Sequence, residues 1–312
     1  MEIGIFLASL VLSLICLIVF QKLYIKNNIV DRINKRSSHN TIATRTGGLA
    51  IYLPLFIVSV YFYISGVEAF NYSLLLPLSI LLVVGCYDDV YQVDFKLKFL
   101  FQIIVAKIII DNGLIIENMH GILGINELNR ILAQLLTIFV IVAIINAINF
   151  IDGLDGLALS IISIFIISFE FFSMKTSAFK YLSLSLIASF VPLLYFNFKK
   201  NKKVFLGDSG SLFLGGLVSI YVLEILSPTY LIKSEFDINK VLFVISILFY
   251  PIVDLVRVFV IRIRRKRSPF IADKNHIHHY LNNKFNKHWQ VTLTLSLTTI
   301  LVIIILQMVN IN

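Results

Sequence analysis

The chain has 312 residues, 58% of them hydrophobic and 14% charged, with a formal net charge of +9. A soluble domain carries roughly 25% charged residues, and the mean hydropathy here is +0.89, so the composition excludes a soluble enzyme and implies a polytopic membrane protein. The positive charge does not imply nucleic acid, because between membrane spans its placement carries the meaning, and the two cysteines, Cys16 and Cys86, lie in apolar runs and give no disulfide framework.

Residues 1–20 form the first apolar run, led by Glu2 and followed by Lys22 and Lys26. No basic leader or small-residue cleavage site precedes it, so it reads as a retained span with its N-terminus outside. Further runs centre near residues 57, 80, 105, 140, 165, 188, 218, 250 and 300. Each is close to the ~20 residues that a spanning helix needs, the one near 105 being short. The sequence thus predicts an all-α membrane protein of about ten spans, a single domain over 1–312 with both termini outside. With that topology 20 of the 27 Lys and Arg residues fall in inner loops and 5 in outer loops, while Lys107 and Arg257 lie within spans. Such a bias is what the positive-inside rule requires.

The inner loops hold almost every unusual residue. In the first, residues 31–48, Arg36, His39 and Arg45 can face an anion while Gly47-Gly48 let backbone come close; a solvated basic loop fits equally well. The third span ends at Asp88-Asp89, followed by Lys96, Lys98 and Gln102. Adjacent carboxylates repel at the negative end of a helix, and a divalent ion relieves both problems; two solvated capping acids are the alternative. Next come Asn146, Asn149, Asp152 and Asp155 at steps of three. Each step drifts about 60° on an ideal helix, so the four cannot share one stripe. Gly153 and Gly156 predict that the helix ends near Asp152, which turns the acids toward a cytoplasmic-side cavity instead of lipid, where acids are costly.

Gly207-Asp208-Ser209-Gly210 opens the eighth span. A turn of this kind leaves backbone amides beside a carboxylate and suits a metal-bound phosphate, although a plain N-cap reads the same way. The last inner loop carries Arg262, Arg264, Arg265, Lys266 and Arg267, a run suited to lipid headgroups, and then His276, His278 and His279. Three histidines can bind zinc, but with both cysteines deep in spans they are better read as donors to phosphate. Acids that hold a hard divalent ion, with bases and turn amides that neutralise phosphate, are the inventory of phosphoryl transfer. No Gly-x-x-x-x-Gly-Lys loop is present, so ATP hydrolysis is not the reading. A site at the membrane implies one lipid substrate and one from the cytoplasm.

Asp88-Asp89 with Lys98, the Asn146 to Leu157 stretch, Phe205-Leu-Gly-Asp208-Ser-Gly-Ser and His276-x-His278-His279 resemble, in order and over nearly the whole chain, the polyprenyl-phosphate N-acetylhexosamine-1-phosphate transferases. Ser268-Pro-Phe with the His-x-His-His form is similar to the WecA and TagO type rather than the MraY type. The resemblance implies transfer of a sugar 1-phosphate from a UDP-N-acetylhexosamine, by default UDP-GlcNAc, to undecaprenyl phosphate. It also implies release of UMP, Mg²⁺ (or Mn²⁺) as the ion, the bacterial cytoplasmic membrane as the location, and the start of a cell-envelope glycan as the outcome. By position it makes Asp208 the foremost metal ligand, with Asp89 and Asp152 beside it. Asp88 and Asp89 would bind metal or activate the lipid phosphate, while Asp152 and Asp155 would be acids of the nucleotide-sugar or metal site. His276, His278 and His279 would hold the diphosphate with Arg45 and Lys98, Phe205 would stack on uracil, and His39, Asn146 and Asn149 would touch substrate.

Two departures from the family pattern stand out: Thr44 precedes Arg45 where proline is common, and Lys199-Lys-Asn-Lys-Lys203 replaces a shorter, proline-containing link. An MraY-like muramyl-pentapeptide transferase is the alternative within the family. A transporter would place its polar residues at mid-membrane in paired repeats, which the sequence lacks. A CDP-alcohol phosphotransferase would want an arginine where Leu159 stands, and a non-catalytic glycolipid binder would not need so many carboxylates. A homodimer is allowed by the sequence but not required.

Overall fold

Every apolar run becomes helix in the computed structural model, which describes residues 1–31, 42–67, 69–175, 177, 179–236, 239–266, 268, 275–285 and 287–309. In chain order the elements are α1 (Glu2–Lys26), β1 (Ala43–Thr44), α2 (Gly47–Ile64), α3 (Leu75–Tyr91), α4 (Phe95–Asp111), α5 (Arg130–Ile151) and α6 (Leu157–Phe172). They continue with α7 (Lys180–Phe198), β2 (Lys203–Val204), α8 (Gly207–Leu226), α9 (Lys240–Ile247), α10 (Phe249–Arg264), α11 (Ile277–Phe285) and α12 (His288–Val309). Asparagines start two of the helices: the Asn129 side chain accepts the Leu132 amide ahead of α5, and Asn239 accepts the Val241 amide ahead of α9.

Among the described residues, seven helices are long and apolar enough to cross a membrane, or up to eight if α9 and α10 count as one bent span. The sequence predicted ten. The difference is length and, for α4, charge: α4 has 17 residues, with Lys96, Lys98, Lys107 and Asp111 among them, and α6 has 16, or about 24–26 Å at 1.5 Å per residue, short of a ~30 Å hydrocarbon core. The α9–α10 pair bends by 78° at Leu248. Pro251 explains the break, because its ring lacks an N–H and clashes with the carbonyl four residues earlier, at Ile247.

The helices group into two compact units, Met1–Asp94 with Ser177–Leu214, and Phe95–Thr176 with Gly215–Asn312. In the first, α1 packs on α7 and α2, with Ser9 Oγ donating to Ser185 Oγ (2.8 Å) and Ser13 Oγ to the Ser189 carbonyl (3.1 Å). The strands β1 and β2 pair in parallel, Ala43 with Lys203 and Thr44 with Val204. The ladder continues past them: the Phe205 amide donates to Thr44 O, and the Gly47 and Gly48 amides donate to Phe205 O and Leu206 O. This run sets the first turns of α2 and α8 side by side. In the second unit α5 packs against α4 and α10, and α12 against α6 and α9.

Candidate active site

The predicted site residues fall into two clusters, one in each unit. In the first unit α3 brings Asp88 and Asp89 to its C-terminal end, where Gln92 closes the helix in the left-handed conformation with its N–H on the Asp88 carbonyl. The two adjacent acids face different amides. Asp88 Oδ1 accepts the Val93 amide (2.6 Å), within its own loop. Asp89 Oδ1 and Oδ2 accept the amides of Asp208 (2.9 Å) and Ser209 (3.0 Å). The first-turn amides of α8 that the sequence offered to a phosphate are thus satisfied by Asp89. This places Asp208 at the start of α8 beside a carboxylate whose own side chain is only 2% exposed.

Arg45 completes this cluster. Its guanidinium donates to Asp31 Oδ1 (2.8 Å) and lies 3.7 Å from Asp89 Oδ1. Burial alone would lower its pKa, but Asp31, Asp89 and Asp208 outweigh that and raise it. Arg45, Asp31, Asp89, Tyr24 and Gln92 line a cleft of about 420 Å³. Gly47 and Gly48 do allow close approach, but to protein: a Cβ at Gly47 would sit 2.7 Å from Phe205 O, and one at Gly48 would run into the backbone of Ser209 and Gly210. Phe205 is half-buried in the ladder, and His39 lies outside the described residues.

The second unit holds the other set. α5 ends at Ile151 with Asp152 as its C-cap, and Gly156, at φ 72°, opens the way to α6, as the glycines predicted. Asn146 Nδ2 donates to Gln102 Oε1 (2.8 Å), tying α5 to α4, the helix that carries Lys98. Asn149 and Asp152 are half-buried, while Asp155 is 7% exposed. Asp155 Oδ2 pairs with His288 Nδ1 (2.8 Å), and its carbonyl accepts Thr292 Oγ1 (2.9 Å).

The three histidines gather at the start of α11. The rings of His276 and His278 lie parallel with centroids 5.4 Å apart, and His279 is 4.3 Å from His278. His276 Nδ1 meets Asp254 Oδ2 at 2.6 Å, and His278 Nδ1 meets Tyr250 Oη at 3.0 Å. Burial, then His279 and His276, push His278 down to about 3 against the pull of Asp254, so its ring is neutral at physiological pH. The Gly153 turn lies over it; a Cβ there would stand 2.7 Å from His278 Nε2. Among the described residues no three His, Cys, Asp or Glu side chains form a metal-holding group.

Residues 71–226 match the profile of glycosyl transferase family 4. A Bacillus subtilis protein named as a probable undecaprenyl-phosphate N-acetylglucosaminyl 1-phosphate transferase is 37% identical over 88% of this chain and 76% of its own length. The chain belongs to glycosyl transferase family 4. Two other relatives are an undecaprenyl-phosphate alpha-N-acetylglucosaminyl 1-phosphate transferase of Pasteurella multocida and a decaprenyl-phosphate N-acetylglucosaminephosphotransferase of Mycobacterium leprae. The first is 34% identical over 82% of this chain and 72% of its own length, the second 31% identical over 84% and 72%.

Among the described residues of this family 4 chain, the acids of the first unit do not form an all-protein metal cage. Mg²⁺ rarely needs one, since it takes one or two carboxylates and completes its shell with water and substrate phosphates. Asp208 opens α8 beside Asp89, whose two oxygens are both on amides. Sequence reasoning missed Asp31, Tyr250, Asp254 and His288. Asp254 carried a usable signal, an acid inside the apolar run Phe249-Tyr-Pro-Ile-Val-Asp-Leu-Val. His288 carried none, for its partner is 133 residues away.

Proposed function

We propose that this protein transfers N-acetylglucosamine 1-phosphate from UDP-N-acetylglucosamine to undecaprenyl phosphate and releases UMP. The observation that carries the reading is the 37% identity, over 88% of the chain, to a relative named as a probable transferase of that group to that lipid. An oxygen of the lipid phosphate attacks the sugar-bearing phosphorus of the donor, the bond from that phosphorus to the bridging oxygen breaks, and UMP leaves with the electron pair. No proton has to be removed from a phosphate dianion, so the protein's task is to position two phosphates and balance their charge.

Asp208 would hold a Mg²⁺ ion, whose chemistry there is to neutralise charge on the phosphate oxygens. Asp89 fixes the first turn of α8 and with it Asp208. Within the first unit Arg45 supplies a positive charge beside Asp208, and within the second the imidazoles of the α11 cluster supply N–H donors for phosphate oxygens. The charge bias supports placing this machinery at the cytoplasmic face of a bacterial membrane, where the nucleotide sugar is made.

The test is UMP release by the purified protein given undecaprenyl phosphate and a panel of UDP-sugars. Release is expected with UDP-N-acetylglucosamine; silence with every UDP-sugar removes the reading. EDTA should stop turnover and Mg²⁺ restore it, and Asp208→Asn should abolish it in a protein that still folds. Undiminished turnover in EDTA removes the ion, and full activity of Asp208→Asn removes this residue as its ligand.

A further inference from the structure

We infer that Asp254 is a positioning residue for His276: its carboxylate holds the ring by Nδ1–H toward α10, so that Nε2 faces a substrate phosphate and donates to it when the ring carries a proton on each nitrogen. This rests on the proposed transfer reaction and adds to it a residue outside the histidine motif.

Asp254 is 0% exposed, within an apolar helix. A buried carboxylate at that depth is expensive unless both oxygens are satisfied. Here both are, by neighbours in one segment: Oδ2 meets His276 Nδ1 at 2.6 Å, and Oδ1 accepts the Ile277 amide at 2.7 Å. One carboxylate therefore holds the ring and the backbone next to it, which fixes both the position and the rotation of the imidazole. A carboxylate accepts only, so the Nδ1 position must carry the proton. The edge of Phe150 meets the His276 ring at 5.4 Å and Arg262 lies over Phe150 at 5.5 Å, which closes another side. Four residues before Asp254, on the same face of α10, the Tyr250 hydroxyl engages His278 through the same ring nitrogen. Two residues of one helix face thus anchor two histidines by Nδ1, a pattern that a simple cap of α11 would not require.

The inference is tested with a double-mutant cycle on the full-length protein, assayed by UMP release from UDP-N-acetylglucosamine and undecaprenyl phosphate. Asp254→Asn keeps an acceptor for the Ile277 amide but removes the negative charge that lets His276 carry protons on both nitrogens, so Nε2 loses its charge-assisted bond to phosphate. His276→Asn keeps a donor for Asp254 and removes Nε2. Each is expected to lower kcat by about 100-fold, the usual loss of one well-placed donor, with KM for the nucleotide sugar changed by less than about threefold. The double variant should be no slower than His276→Asn alone, because Asp254 acts through that ring. Parental kcat in Asp254→Asn, or a double loss equal to the product of the single losses, overturns the inference. If Asp254→Asn does not fold, Asp254→Glu, which keeps the carboxylate, should retain more than about a tenth of parental kcat; a lower value overturns it. An inactive parent chain sinks the transferase reading, whereas an active parent with multiplicative losses sinks only the role of Asp254.

Discussion

His278 shows what burial does to a single side chain in this protein. It is 1% exposed, stacked among imidazoles, and held neutral with its pKa near 3, against about 6.5 when unfolded. Between those two values the unfolded chain binds a proton that the folded chain does not, so stability rises with pH across the window and falls as acid is added. The slope is roughly 1.4 kcal/mol per pH unit for one proton. Thermal or denaturant unfolding in detergent should therefore show the parent losing stability from about pH 6.5 downward, and His278→Gln should flatten that loss by about one proton's worth. Equal slopes in the two proteins would show that His278 is not held neutral. The sequence marked the three histidines but not the state of each. Their spacing was readable, whereas the acid that orients His276 and the hydroxyl on His278 come from another helix, where Asp254 looked like one more residue of a span.

At the scale of elements, the first turn of α8 is set by glycines in the two helices packed on it. A Cβ at Gly85 of α3 would run into the backbone of Asp208 and Ser209, and one at Gly48 of α2 into Ser209 and Gly210. Backbone cannot swing aside as a long side chain can, so Gly85→Ala must push α3 away and stretch the two bonds from Asp89. A destabilisation of about 1–3 kcal/mol is expected, with transferase activity falling further than stability because Asp208 sits on the displaced turn. Gly4→Ala is the control: a Cβ there meets nothing within 4 Å, and its melting temperature and turnover should match the parent's. A Gly85→Ala protein as active as the control would show that the α3–α8 contact does not hold the site. The sequence displayed the Gly47-Gly48 pair and the Gly-Asp-Ser-Gly turn, and it located the end of α5. It could not show that the two glycine-bearing turns meet each other, because the 43–48 and 203–206 ladder joins segments 160 residues apart. The break between α9 and α10, just before Pro251, lies within the run near residue 250 that the sequence reads as one span.

For the whole molecule, orientation in the membrane follows from charge. Helix α7 carries the sharpest contrast, with Lys175 and Lys180 toward one end and Lys199, Lys200, Lys202 and Lys203 at the other. Lys175 and Lys200 are both exposed, and the 19 residues of α7 separate their ends by about 28 Å, close to a bilayer's hydrocarbon thickness. A charge-rich end is retained on the cytoplasmic side, so the prediction is that the lysine cluster leading into β2 and Asp208 lies inside. In a background with Cys16→Ser and Cys86→Ser, Lys175→Cys should react in whole cells with a maleimide that does not cross membranes. Lys200→Cys should react only after the membrane is opened. The reverse labelling would turn the protein over and put Asp208 and Arg45 on the face that nucleotide sugars do not reach. Because the two positions flank one span, equal labelling of both from outside would instead show that α7 does not cross.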